Sequence, residues 1–185
     1  IFATSDNAMV GLNTAIASGN GNTSTQTQNV IINDVTAPVA DVATLADVTA
    51  ECEVVSITAP TATDNCGATI TGTTTDPLSY NTQGTHVITW SFDDGNGNVA
   101  TETQNVVIND VTAPVADVAT LADVTAECEV VSIIAPTATD NCGGVITGTT
   151  TDPLSYNTQG THVINWSFDD GNGNVTTETQ NVIID

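Results

Sequence analysis

The feature that most constrains the fold is an internal repeat of 76 residues. The string VTAPVADVATLADVTAECEVVS begins at Val35 and again at Val111, and residues 35–109 differ from residues 111–185 at only seven of 75 aligned positions. A unit of this length is long for a solenoid repeat and fits one small domain. We therefore predict one module over residues 35–110 and a second module over residues 111–185.

The chain ahead of these repeats carries the end of a third, diverged copy. Residues 19–34 match residues 95–110 at 12 of 16 positions, whereas residues 1–18 match poorly. We predict that residues 1–34 are the C-terminal part of a preceding module in a longer protein. Near-identity of neighbouring copies indicates that the length of the array matters more than the individuality of each module. This favours a spacer over a catalyst.

Within a repeat, short segments of strand-forming residues alternate with turn signals. Segment 85–92 places His86, Ile88, Trp90 and Phe92 on one parity, which is typical of a half-buried strand. Apolar residues show no helical spacing. The other predicted strands of the first repeat are 39–45, 53–59, 68–75 and 98–108. The pattern predicts an all-β chain of tandem immunoglobulin-like antiparallel β-sandwich modules.

The charge is one-sided: the chain has 22 acidic residues, no Lys or Arg, and a formal net charge of −22. Only two histidines and the amino terminus can form ion pairs with the carboxylates. Bound divalent cations are the simplest way to neutralise acidic clusters. This excess of negative charge argues against binding to nucleic acid, which requires Lys and Arg, and against direct contact with anionic membranes. No apolar run reaches 18 residues.

Each repeat has one pair of cysteines with the spacing C-x13-C, and the four are Cys52, Cys66, Cys128 and Cys142. Four cysteines allow three connectivities, and the repeat favours Cys52–Cys66 with Cys128–Cys142. Closing a loop of about 15 residues contributes roughly 3 kcal/mol in the chain-entropy model. Disulfides imply an oxidising compartment. A zinc site is disfavoured because each repeat offers two cysteines and one histidine.

The string DDGNGN, at residues 93–98 and 169–174, contains the Asn-Gly pair that favours a hairpin turn. A turn alone does not explain two adjacent carboxylates. Asp94, Asn96 and Asn98 supply oxygens at alternate positions of a glycine-rich loop, which suits Ca²⁺. A glycosidase-like use of Asp93 with Asp94 is disfavoured, because adjacent residues of a turn point apart. We expect no enzyme activity and no catalytic cofactor.

Topology brings this turn to other acidic segments. In an immunoglobulin-like sandwich the last hairpin, the loop TDNCG and the linker NDVTAP all lie at the end where the chain enters. We therefore predict a Ca²⁺ site at each junction between modules. The predicted ligands are Asp34, Asp64, Asp93, Asp94 and Asn96 at the first junction and Asp110, Asp140, Asp169, Asp170 and Asn172 at the second, with Asn33, Asn65, Asn109 and Asn141 beside them.

A second interpretation of these acidic segments requires no metal. The alternative is a solvated acidic loop with ordinary Asx turns. The diverged first copy has Ala17 and Ser18 in place of the two aspartates, so a site built by that copy should be weaker or absent.

The segments NDVTAP, APTATDNCG and QGTHVITWSFDDGNGN resemble the hyalin-repeat (HYR) family in its bacterial HYR-like form. Tandem copies with ATDNCG and DDGNGN are similar to those of giant surface adhesins of Bacteroidetes, including gliding-motility adhesins of the SprB type. The resemblance covers both repeats and the end of the diverged copy. It implies an extracellular immunoglobulin-like module, type IX secretion and a bacterial cell-surface filament that contacts polysaccharide or abiotic surfaces.

The expected function is therefore structural: a stalk segment of a long secreted adhesin, stiffened by Ca²⁺ at module junctions, for surface adhesion or gliding. Its immediate partners are the neighbouring modules of the same chain. Two alternatives remain open. One is a glycan- or protein-binding module attached to a secreted enzyme, and the other is a self-assembling extracellular fibre.

Overall fold

A computed structural model describes the backbone of residues 9–17 and 23–185, and side chains from residue 30 onward. All regular elements of these residues are β-strands, which confirms the all-β prediction. None of the described residues form a helix capable of crossing a membrane. The predictions for residues 1–8 and for Ser18 lie outside the described residues.

The part of the chain before the first repeat forms an antiparallel strand pair. Strand β1 (Met9–Ala17) pairs with β2 (Thr23–Ile31) in a continuous register from Met9↔Ile31 to Ala17↔Thr23. The second of these strands leads directly into the linker that precedes the first repeat.

The first repeat contains six strands in two three-stranded sheets, ordered β3-β5-β6 and β4-β8-β7. The strands are β3 (Val39–Ala40), β4 (Val48–Ala50), β5 (Thr61–Thr63), β6 (Thr69–Thr71), β7 (Gly84–Asp93) and β8 (Val99–Ile108). The predicted strands over 85–92 and 98–108 are confirmed as β7 and β8.

Three predicted strands are much shorter than expected. Segment 68–75 forms a strand only at Thr69–Thr71, with one further bridge at Thr73↔Ser91. Segment 39–45 is extended only at Val39–Ala40, because Asp41 then turns to bond β5 through its carboxylate and its N–H. Segment 53–59 contributes only a single bridge, Val54↔Tyr80. Of the strand-forming residues in these segments, Val54 and Ile57 are buried, whereas Val42 and Val55 are exposed.

The second repeat has the same two sheets, ordered β12-β11-β9 and β10-β14-β13. The parallel pairing of β10 with β14 runs from Val124↔Val182 to Ala126↔Ile184, and the other pairings are antiparallel. The strands are β9 (Val115–Ala116), β10 (Val124–Ala126), β11 (Thr137–Asp140), β12 (Gly144–Thr147), β13 (Gly160–Asp169) and β14 (Val175–Ile184).

The core of the second repeat lies between these sheets and follows the predicted period of two. The fully buried side chains are Ile164, Trp166 and Phe168 of β13, Val182 and Ile184 of β14, and Ala138 of β11. Intervening residues of β13 are exposed or half-buried. The same parity holds in β7 of the first repeat. Burying one apolar face of each sheet is what makes the repeat a sandwich of the predicted immunoglobulin-like class.

Cα packing divides the chain into two compact units. The first comprises the chain up to Asp47 with Ile57–Pro77 and Val87–Asn105. The second comprises Val48–Ser56, Leu78–His86 and Val106–Asp185. The second unit therefore holds the whole second repeat together with the parts of the first repeat from which the linker leaves.

Gly148 lies under the core aromatic ring of Phe168. A Cβ at this position would lie 2.9 Å from Phe168 Cε1 and 3.2 Å from the Pro136 carbonyl oxygen. We expect Gly148→Ala to lower the free energy of unfolding of the second repeat by about 1–3 kcal/mol, because the core has no room for the methyl group. Urea unfolding followed by Trp166 fluorescence, in a Trp90→Phe background, measures it. Gly143→Ala, whose nearest neighbour would be 3.5 Å away, is the matched control and should change little.

Asp117 joins β9 to β11 by accepting hydrogen bonds from the hydroxyls of Thr137 and Thr139. These bonds, the Thr137 one most, hold the pKa of Asp117 below its usual value. A depressed folded-state pKa means that the contribution to stability is present above the unfolded pKa and is lost as the pH falls through the folded pKa. We expect Thr137→Val to raise the pKa of Asp117 in a carboxyl NMR titration. The pKa of Asp41 in the first repeat should stay unchanged, and a constant Asp117 pKa would contradict the assignment.

Candidate functional site

The linker enters the second repeat as a buried segment centred on Asp110. This residue is only 4% exposed. Its N–H donates to Gln83 Oε1 at 2.9 Å, and its Oδ1 accepts from the Thr112 N–H at 3.1 Å. The side-chain amides of Asn172 and Asn174 donate to Asp110 Oδ2 and to the Asp110 carbonyl oxygen, both at 3.1 Å. Residues of both repeats therefore fix Asp110.

Asp140 ends β11 next to this linker and is also 4% exposed. Its Oδ2 accepts hydrogen bonds from the N–H groups of Cys142 and Gly143, both at 2.7 Å. Its Oδ1 is buried and has no hydrogen-bond partner within the described part of the chain. A buried carboxylate oxygen without a donor is costly, so this atom is suited to a cation.

The DDGNGN string of the second repeat forms the predicted turn between β13 and β14, with the Asp170 N–H donating to the Asn174 carbonyl oxygen at 3.3 Å. Gly171 and Gly173 have φ angles of +83° and +105°, which explains the alternating glycines. Asp170 Oδ1 accepts from the N–H groups of Asn172 and Asn174 at 2.7 and 3.1 Å. The turn therefore holds the Asp170 carboxylate in place.

Asp170 is anionic at neutral pH. Burial by itself raises its pKa, but the hydrogen bonds from the Asn174 side chain and from the N–H groups of Asn172, Gly173 and Asn174 together outweigh that effect. The pKa of Asp170 consequently lies below its usual value. The donors are neutral, so they fix the negative charge without cancelling it.

The first aspartate of each DDGNGN string has a different environment. Asp169 and Asp93 are exposed, and each accepts one hydrogen bond at 2.8 Å from the N–H of the glycine two residues later. These are Asx-turn contacts. They are the contacts of the solvated-turn alternative, and they place these two side chains in the turn itself.

Three carboxylates meet at the junction. One oxygen each of Asp110, Asp140 and Asp170 lie within 4.8 Å of one another. Two unit charges about 5 Å apart repel by roughly 3 kcal/mol at an effective dielectric constant of about 20. The chain has no Lys or Arg to offset this repulsion. Hard oxygen donors clustered in this way match the ligand preference of Ca²⁺.

The structure corrects the predicted disulfide pairing. Cys52 of the first repeat bonds to Cys142 of the second, with an S–S distance of 1.99 Å and a Cα–Cα distance of 5.0 Å. The predicted pairs Cys52–Cys66 and Cys128–Cys142 are therefore wrong. Cys128 is an exposed free thiol.

The physical reason is the position of each cysteine along its module. Cys128 follows β10, whose Ala126 pairs with Ile184 at the end of the repeat where the chain exits. Cys142 follows Asp140, at the end where the linker enters. The two cysteines of one repeat therefore lie at opposite ends of it, and Cys142 at the entry end meets Cys52 at the exit end of the preceding repeat.

Glu51 reinforces the same junction from the first repeat. Its Oε2 accepts from the Thr112 hydroxyl at 2.6 Å and from the Asn141 side-chain amide at 2.8 Å. A carboxylate oxygen of Glu51 also lies within 4.8 Å of Asp110 and of Cys142 Sγ. That sulfur is in the disulfide, so it offers no thiolate to a metal, and the carboxylates are the ligands that remain.

The junction before the first repeat repeats these contacts. Asp64 is 3% exposed, its Oδ2 accepts from the Cys66 N–H at 2.8 Å, and its buried Oδ1 has no hydrogen-bond partner in the described residues. Asp34 Oδ2 is also buried without a hydrogen-bond partner in the described residues. One carboxylate oxygen each of Asp34 and Asp64 and the Cys66 sulfur lie within 4.8 Å of one another. Asn98 donates to Asp94 Oδ2 at 2.6 Å and to the Asp34 carbonyl oxygen at 3.4 Å.

Some residues of the junction escaped the sequence analysis. Glu51 and Gln83 carry no motif, and they reach the linker only because the ends of β4 and β7 lie next to the end of β8. The sequence did hold one usable signal. Cysteines repeated with the period of the modules allow a bond between repeats as readily as a bond within each repeat.

Peptide mapping of the oxidised chain tests the disulfide assignment. A protease that cleaves before aspartate releases residues 47–63 and 123–139, which differ in mass and carry Cys52 and Cys128 respectively. We expect peptide 47–63 to be linked to peptide 140–151, and iodoacetamide to label Cys128 without prior reduction. A link between peptides 47–63 and 64–75 would contradict the structure.

Residues 35–108 match the family described as "HYR-like domain with 4 cysteines". This span contains two cysteines. The second repeat differs from it at seven aligned positions, so it is the same kind of module.

The chain is 36% identical over 178 residues to hyalin of Lytechinus variegatus, covering 88% of this chain and 33% of that protein. It is 37% identical over 183 residues to hyalin of Strongylocentrotus purpuratus, covering 91% of this chain and 15% of that protein. The chain thus spans at most about a third of the length of these relatives.

Among solved structures, the protocadherin gamma-B4 extracellular domain matches with a TM-score of 0.42 and 13% identity, over 97% of this chain and 38% of that one. Mouse cadherin-23 EC22–24 matches with a TM-score of 0.29 and 10% identity, over 88% of this chain and 70% of that one. The family match and the similarity to hyalin support the conclusion that the repeats are HYR-like modules.

Proposed function

We propose that this chain is an extracellular adhesion-type repeat segment, a stalk whose two full repeats are joined by a disulfide and whose junctions bind Ca²⁺. The observation that carries the proposal is the buried junction of Asp110, Asp140 and Asp170, in which Asp140 Oδ1 lacks a hydrogen-bond donor among the described residues. The disulfide Cys52–Cys142 supports an oxidising, extracytoplasmic location.

A mechanical role fits what the junction residues do. The linker is bonded to the first repeat through Gln83 and to the second through Asn172 and Asn174. A cation bound by Asp110, Asp140 and Asp170 would join the linker, the loop after β11 and the last hairpin at one point. Each of these carboxylates already has its orientation set by N–H or amide donors, so binding orders few additional groups.

The choice of Ca²⁺ follows from the donors. The site supplies carboxylate oxygens, with no free thiolate and no histidine among the ligands identified. Ca²⁺ takes about six to eight oxygen ligands and accepts irregular geometry, whereas Mg²⁺ requires a near-ideal octahedron. Three carboxylates leave further coordination positions for water.

The setting that we propose is a long bacterial surface adhesin used for attachment or gliding, as the bacterial HYR-like motifs imply. In that setting the repeats act as a spacer that holds a binding tip away from the cell. The near-identity of the two repeats supports this role, because a spacer needs many equivalent joints. Contact with polysaccharide or abiotic surfaces is assigned to the adhesin as a whole.

Thermal unfolding with and without Ca²⁺ tests the proposal. At a hundredfold excess over Kd, binding to the folded state alone stabilises by about 2.7 kcal/mol, so the Tm of the oxidised chain should rise by several degrees over its value in chelator. Asp140→Asn combined with Asp170→Asn should abolish this rise, since it removes two ligand charges without changing side-chain size.

Asp169→Asn is the matched control, because this carboxylate is adjacent to Asp170 but lies in an exposed turn. It should keep the full Ca²⁺-dependent rise in Tm. Equal Tm values for the unmodified chain in Ca²⁺ and in chelator would contradict the Ca²⁺ part of the proposal.

A further inference from the structure

The end of the first repeat from which the linker leaves presents a three-residue surface that receives the second repeat. Glu51 accepts hydrogen bonds from Thr112 and Asn141, and Cys52 bonds to Cys142. Gln83 donates to the Glu51 carbonyl oxygen at 3.0 Å and accepts from the Asp110 N–H. We call Glu51, Cys52 and Gln83 the exit surface of the first repeat.

The same surface recurs at the end of the second repeat. Glu127, Cys128 and Gln159 stand 76 residues after Glu51, Cys52 and Gln83, within identical surrounding sequence. The backbone that positions them is also the same. The Asn109 N–H donates to the Ala50 carbonyl oxygen at 2.9 Å in the first repeat, and the Asp185 N–H donates to the Ala126 carbonyl oxygen at 3.0 Å in the second.

The two surfaces differ in exposure. Cys52 is half-buried in its disulfide, and Glu51 is half-buried beneath the linker. Cys128 and Glu127 are both exposed, and Cys128 is a free thiol. The second repeat therefore carries the residues that make a joint in the first repeat, in the same local structure, with the thiol accessible.

We propose that this second exit surface is a docking site for another repeat of the same kind continuing from residue 185, and that Cys128 forms a disulfide with the second cysteine of that repeat. The incoming repeat is defined by its chemistry. It presents a linker hydroxyl and a loop amide to the Glu127 carboxylate, a backbone N–H to the Gln159 side chain, and the thiol of a T-D-N-C-G loop to Cys128.

The occupant is a repeat in the same chain rather than a second molecule. A covalently continuous repeat has a high effective concentration at the exit surface, whereas separate chains of net charge −22 repel one another. The existing joint also forms between consecutive repeats. Along an array, one inter-repeat disulfide would therefore close every junction.

Bond formation is a two-electron oxidation. The S–H bonds of Cys128 and of the incoming cysteine are lost, an S–S bond forms, and two protons and two electrons leave. A small-molecule disulfide such as oxidised glutathione accepts them and departs as two thiols by thiol–disulfide exchange. This inference does not depend on Ca²⁺ binding.

The test uses the full chain lengthened after Asp185 by a copy of residues 34–109. Cys66→Ser in the original first repeat makes the added DNCGATITGTTT peptide the only one of its sequence that can be cross-linked. After oxidation in a glutathione buffer, free thiols are alkylated and the chain is cleaved before aspartate. We expect peptide 123–139 to be linked to the added DNCGATITGTTT peptide, alongside the link between peptides 47–63 and 140–151.

Two outcomes would overturn the proposal. In one, Cys128 is fully alkylated while the Cys52–Cys142 bond forms normally. In the other, the two cysteines of the added repeat bond to each other. Cys142→Ser is the matched control. It removes the first inter-repeat bond and should leave the Cys128 bond intact, which shows that each junction closes independently.

Discussion

The absence of Lys and Arg governs how this chain treats its carboxylates. Every acidic group that leaves water must be satisfied by neutral N–H and O–H donors, or by a cation from solution. Several carboxylates accept hydrogen bonds from neutral donors. Threonine hydroxyls bond Asp117, turn N–H groups bond Asp170, and an asparagine amide bonds Asp110. At Asp140 neutral donors reach only Oδ2, and Oδ1 has no donor in the described residues. Glu102 Oε2 and Glu178 Oε2 are also buried without a donor in the described residues, but neither belongs to a group of clustered carboxylates. Asp140 differs because two other carboxylates lie within 4.8 Å of it, which is why we propose the cation at the joint between repeats.

The joint also places a covalent bond next to these carboxylates. The Cys142 N–H orients the Asp140 carboxylate, and the Cys142 sulfur is bonded to the first repeat. One loop thus orients the Asp140 carboxylate and anchors two modules. The disulfide closes a loop of 90 residues, which in the chain-entropy model stabilises by between 4 and 5 kcal/mol, about 1.5 kcal/mol more than the loop of about 15 residues that the sequence suggested.

Sequence reasoning succeeded where a local pattern determines the structure. The alternation in β7 identifies its buried face, and Asn-Gly identifies the last hairpin. The convergence of Asp110, Asp140 and Asp170 follows from immunoglobulin-like topology, which places three separated loops at one end. The disulfide partner could not be derived in this way. C-x13-C spacing is compatible with bonds within or between repeats, and the choice depends on which end of the sandwich each cysteine occupies. The predicted length of the strand that begins at Val39 is also wrong, because the chain turns at Asp41, whose side chain bonds β5.

The central claim is that consecutive repeats are covalently closed at their junction, and single-molecule force spectroscopy of the oxidised chain measures this directly. A bond between Cys52 and Cys142 withholds 90 residues from extension. At about 3.6 Å per extended residue, adding a reductant should lengthen the fully unfolded chain by about 320 Å. Pairing within each repeat would withhold only two segments of 14 residues. A gain of about 100 Å on reduction would therefore contradict the account.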